Sequence, residues 1–177
     1  YRSEEQWLTQ VRVLQGLRHV RALMTVHGPV VSDADDLTRM DASDVNGVRA
    51  WDVLWYSLTS FLQGYDDQVQ NGYFGFTVWG YSRFHWLPEF DPAKLHLGRA
   101  RGAMQRLDGA TGHVWFREFE DGWVVTNPTT TAATGLRVPA GRARVLAHDT
   151  FGDAAAQPLV ERFDLPGADG ALQPGQL

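Results

Sequence analysis

Near the start of the chain the apolar positions recur at helical spacing. Trp7, Leu8, Val11, Leu14 and Leu17 fall on one face at a 3.6-residue repeat. Ser3-Glu4-Glu5-Gln6 precedes that stripe as a capping-box pattern. The Ser3 hydroxyl is placed to accept from the Gln6 backbone, and the two acids suit a helix N-terminus. The period then changes: Val20 to Val26, VRALMTV, reads as a short strand stopped by His27-Gly28-Pro29. Val30 to Asn46 is acidic and aperiodic. Beyond it, Val48, Trp51, Leu54, Trp55, Leu58, Phe61 and Leu62 fit the i, i+3, i+4, i+7 template, with Asn46 or Asp44 as the expected cap. Gly64 and Gly72 bracket a polar turn. Tyr73 to Trp79 follows, aromatic and β-branched enough for a strand buried on both faces.

From His113 onward the apolar segments are short and punctuated by Gly, Pro, Asp or Asn. His113 to Glu120 and Trp123 to Asn127 are expected to pair through Asp121-Gly122, a two-residue type I′ signal that puts Gly122 at positive φ. Gly135 to Val138, Ala143 to Ala147 and Leu159 to Leu165 extend the series, as in a small antiparallel β-sandwich. The first half reads differently. Helix, strand, helix, strand is the repeat of a parallel α/β sheet, in which crossover helices cover the faces. The expected fold is therefore α/β followed by all-β.

Composition sharpens the function classes. The chain has 177 residues, 44% of them hydrophobic and 12% aromatic, enough for a buried core. A net charge of −5 without a basic run argues against nucleic acid or an anionic membrane as partner. No apolar run reaches the roughly 20 residues of a membrane helix. Without cysteine there is neither a disulfide frame nor a thiolate metal site. Asp33, Asp35, Asp36, Asp41 and Asp44 invite a calcium reading. They lack the alternating ladder with a distal glutamate, so a solvated loop is preferred and neither metal nor cofactor is expected. The chain begins at Tyr1 rather than Met, the expectation being that it is processed, trimmed or part of something longer.

The chemistry concentrates past the second strand. In α/β sheets the site forms beyond the carboxyl ends of the strands. That rule selects His27 after the first strand and Trp79, Tyr81, Arg83, His85, Trp86 and Glu89 after the second. Aromatic faces stack on sugar C–H surfaces, while carboxylate, imidazole and guanidinium hold hydroxyls. The plainer reading is that these aromatics seal the end of a core. Glu89 is an acid, a hydroxyl ligand or a salt-bridge partner of Arg83, and the ion pair is preferred because a lone carboxylate supplies half a hydrolytic mechanism. Ser32, Ser57, Ser60 and Ser82 lack a nucleophile-elbow pattern.

WFREFEDGWVVTNPT at Trp115 to Thr129, LRVP at Leu136 to Pro139 and FDLPGADGAL at Phe163 to Leu172 resemble the C-terminal β-domain of TIM-barrel glycoside hydrolases. SLTSFLQG at Ser57 to Gly64, GYFGFT at Gly72 to Thr77, WLPEFD at Trp86 to Asp91 and HLGRARG at His96 to Gly102 are similar to the last helix and strand of such a barrel and its exit. The resemblance implies that residues 1–98 are the C-terminal part of a (β/α) barrel and residues 99–177 an antiparallel β-sandwich domain. A full barrel has eight strands and about 250 residues, and this chain supplies two strands at most. It follows that the catalytic acids lie elsewhere. The implied partners are a carbohydrate and the remainder of the barrel, in the same or another chain. The implied compartment is extracellular or periplasmic. The alternatives are a non-catalytic carbohydrate-binding module or a structural subunit of a larger assembly.

Overall fold

The computed structural model describes residues 3–27, 40, 47–77, 97–146 and 157–167. Helix α1 spans Glu4–Gly16, with the Ser3 hydroxyl accepting from the Gln6 N–H at 3.3 Å as its capping box requires. Its stripe is buried at Trp7, Val11 and Leu14. Helix α2 spans Ala50–Gly64 and starts differently from expectation. Arg49 is the N-cap residue, and the Asp52 carboxylate accepts from its backbone N–H at 3.1 Å while pairing with its guanidinium at 2.8 Å. Asp44 and Asn46 lie outside the described residues.

Strands β1 (Ala22–His27) and β2 (Gly72–Thr77) pair in parallel, Ala22 opposite Gly72 through His27 opposite Thr77. Burial alternates along β1, while β2 is exposed at Tyr73 and buried at Gly75 and Phe76. Val26, Phe74 and Phe76 pack towards Val53 and Leu54 of α2, whereas Leu23 and Tyr73, facing each other across the pair, are 72% and 52% exposed. The described part of the strand expected to be buried on both faces is therefore open at Tyr73, away from the face that α2 covers.

The antiparallel part contains β3 (Gln105–Asp108), β4 (His113–Glu118) and β5 (Trp123–Thr126) in one sheet, and β6 (Ala133–Arg137) with β7 (Arg162–Leu165) in another. Both sheets share one core: Val114, Val125, Ala133, Leu136 and Leu165, with Leu107, Phe116 and Phe163 packed against it. Phe116 lies directly opposite Val125. Of the expected strand at Ala143 to Ala147, the described part makes a single bridge, Ala143 to Val160, and β3 went unforeseen.

The β4–β5 hairpin forms, but its turn is not the expected one. Glu118 pairs with Trp123 and the Phe119 N–H donates to the Gly122 carbonyl, so Glu120 and Asp121 occupy the tip. Gly122 is not among the positive-φ glycines, and Glu120 and Asp121 have no positive φ either. A type I′ turn, which needs positive φ at both central residues, is therefore absent. The tip is held from outside instead. The Glu120 and Asp121 N–H groups donate to the carbonyls of Arg99 and Leu97, and the Glu120 carboxylate accepts from the Arg99 N–H.

The barrel expectation is overturned by these elements. Among the described residues there are two helices, one parallel pair and several small antiparallel sheets, with no run of βα repeats. The physical reason lies in α2. A barrel's outer helix turns one face to solvent, but α2 is buried over nearly its whole circumference, from Val53 through Phe61 and again at Gln63 and Gly64. One side covers the parallel pair; the other meets α1 and the three-stranded sheet, where Trp7, Val11 and Tyr56 pack with Met104 and Trp115. In place of the expected sandwich appended to a barrel, the three-stranded sheet docks on the two helices and the β6–β7 pair packs against that sheet.

Candidate functional site

The in-register pairing of β1 and β2 sets His27 beside Thr77 at the carboxyl end of the pair. The chain leaves both strands at that one edge. His27, expected just after the first strand, is the last residue of β1. Trp79, Tyr81, Arg83, His85, Trp86 and Glu89 lie outside the described residues, as does the aspartate-rich stretch from Asp33 to Asp44. Ser57 and Ser60 are spent within α2, donating to the carbonyls of Val53 and Tyr56 at 2.6 Å each; Ser60 also accepts from the Trp7 indole N–H at 2.8 Å. Neither hydroxyl is placed for nucleophilic chemistry.

Three polar clusters went unforeseen. In the first, Glu4 Oε1 accepts the Trp115 indole N–H at 2.6 Å and lies 2.8 Å from His113 Nε2, joining the first turn of α1 to β4. Partial burial pushes the Glu4 carboxyl up, but hydrogen bonds from His113 and Trp115, with the charges of His113 and Arg106, leave it below its ordinary value. The three residues make a docking contact: one Glu4 oxygen bridges two side chains of one strand.

In the second cluster, buried Arg117 donates to the carbonyls of Leu62, Gln63 and Tyr65 at the end of α2 and to Gly102. Helix C-termini leave such carbonyls without intrahelical partners and carry partial negative charge, so a guanidinium satisfies both needs. Burial pushes its pKa down, while Asp66 and Asp67 oppose that shift. Beside it, Gln63 Nε2 donates to the carbonyls of Trp115 and Val124, tying α2 to β4 and β5.

The third is concave. A groove of about 810 Å³ is lined by Leu107 and Phe116 from the three-stranded sheet, by the turn Val138 to Arg142, and by Arg137, Glu161 and Arg162. Its volume falls within the range of small-molecule sites. Arg137 sits directly opposite Arg162 in the β6–β7 ladder. Arg142 pairs with Glu161 at 3.1 Å, whereas the side chains of Arg137 and Arg162 make no ion pair or hydrogen bond among the described residues. Nothing in the sequence marks the three arginines as neighbours, because 25 positions separate Arg137 from Arg162 and only the ladder register joins them.

Among the described residues no group of His, Cys, Asp and Glu is arranged to hold a metal ion, and no helix is long and apolar enough to cross a membrane. Comparison with protein-family models, curated proteins and solved structures finds no match.

Proposed function

We propose that the chain binds carbohydrate at the carboxyl-terminal edge of β1 and β2. The supporting observation is the parallel register that sets His27 beside Thr77, so that the segment carrying Trp79, Tyr81, Arg83, His85, Trp86 and Glu89 begins at the edge where β1 also ends. Indole and phenol faces suit the C–H surfaces of a pyranose, and the ionic groups suit its hydroxyls. The likeness of Trp115 to Thr129 to the β-domains of glycoside hydrolases points to the same ligand class. Binding is proposed rather than hydrolysis, since cleavage requires two carboxyl groups across the bond and Glu89 is the one carboxylate within the aromatic cluster.

Tryptophan fluorescence titrated with neutral tri- and tetrasaccharides tests this reading. The expected result is a saturable change that Trp79→Ala and Trp86→Ala each weaken about tenfold, the loss of about 1.4 kcal/mol of stacking. A flat titration across the series, with no retardation on polysaccharide-containing gels, rules the reading out.

A further inference from the structure

We propose that the groove between β3–β4 and β6–β7 is a second binding site, selective for a saccharide that carries carboxylates, such as an oligouronate. The choice of a saccharide as carrier rests on the carbohydrate reading above; the preference for an anion rests on the groove alone. Arg137, Arg142 and Arg162 line it, with Glu161 the one acid among the described lining residues, in a chain whose net charge is −5. The local excess of positive charge thus runs against that of the whole molecule. Like charges directly across an antiparallel ladder repel, and neither the Arg137 nor the Arg162 side chain makes an ion pair or hydrogen bond among the described residues. A planar carboxylate offers each guanidinium a bidentate acceptor and relieves that repulsion. Leu107, Phe116, Val138 and Pro139 supply an apolar wall along which a sugar ring can lie. Carboxylates repeated along an oligomer can meet more than one of these arginines.

The test is calorimetric titration of the whole chain, at low salt where exposed charges are least screened, with trigalacturonate, its fully methyl-esterified trimer and inorganic sulfate. The acid trimer is expected to bind at least about tenfold more tightly than the neutral ester, and Arg137→Gln/Arg162→Gln to lose that advantage. Without ligand the double variant should melt no lower than the parent, since it removes a repulsion; a marked loss of stability would make the arginines structural and overturn the proposal. Equal binding of acid and ester, or undiminished acid binding by the double variant, overturns it as well. So does sulfate binding as tightly as the trimer, which would reduce the groove to a simple anion site. If neutral sugars bind and respond to Trp79→Ala while the acid trimer gains nothing, the groove inference alone falls. If no saccharide binds at all, the carbohydrate reading falls with it.

Discussion

Arg117 and Glu4 show how single charged side chains stabilise the join between the helices and the sheet. Replacing Arg117 with Met keeps much of the volume but strands the carbonyls of Leu62, Gln63 and Tyr65 at the buried end of α2. The expected cost is about 3 kcal/mol, read as a lower urea midpoint with an unchanged slope. Glu4 gives a pH dependence whose sign is fixed by its depressed pKa. A carboxyl held below its unfolded value contributes stability that is complete above the unfolded pKa, and that contribution disappears as pH falls through the folded one. The urea midpoint of the parent should therefore exceed that of Glu4→Gln near neutrality, and the gap should close below about pH 4. A gap that persists unchanged in acid would show that Glu4 acts through something other than its charge.

The β4–β5 hairpin illustrates how pairing and turn chemistry can part company. Alternation in the flanking segments is enough to pair them, and Phe116 and Val125 do meet across the ladder within the core. Phe116→Ala should accordingly cost about 3 kcal/mol or somewhat more, measured by thermal or urea unfolding. The turn itself depends on residues far back in sequence, because the segment at Leu97 to Arg101 satisfies the tip amides. The backbone demand for glycine consequently moves from Gly122 to Gly98, where φ is +67° and an added Cβ would sit 2.7 Å from the Glu120 side chain. Gly98→Ala should destabilise by more than about 1 kcal/mol, while Gly122→Ala, which meets only Leu97 at 3.3 Å, should change stability by less than that. Equal effects would contradict this assignment of the turn.

Taken as a whole, the molecule is arranged about α2, which has the parallel pair on one side and α1 with the three-stranded sheet on the other. Trp7 is at the centre of the second contact, fully buried, bonded to Ser60 and tilted against the Trp115 ring at 6.3 Å. Elements joined through one buried helix should unfold together. Trp7→Ala is expected to cost about 3–5 kcal/mol while leaving a single transition by both near- and far-ultraviolet circular dichroism. Two separated transitions would instead make the helical and antiparallel parts independent folding units.

Much of this was legible in local pattern. The α1 stripe, the Ser3 cap, the α2 periodicity and the pairing of β4 with β5 follow from spacings of two, three or four residues, which act within one element. The parallel order of β1 and β2 also followed, since a helix between two apolar strands leaves them pointing the same way. What lay beyond reach depends on which faces meet. The sequence of α2 reads the same whether its second face covers a barrel neighbour or an antiparallel sheet, and the likeness to barrel enzymes settled that ambiguity in the wrong direction. Gln63 and Arg117 read as ordinary polar residues until the carbonyls of other elements are brought against them. Arg137 and Arg162 become neighbours only through the β6–β7 register, because charge acts through space and the spacing between them is decided by the packed chain.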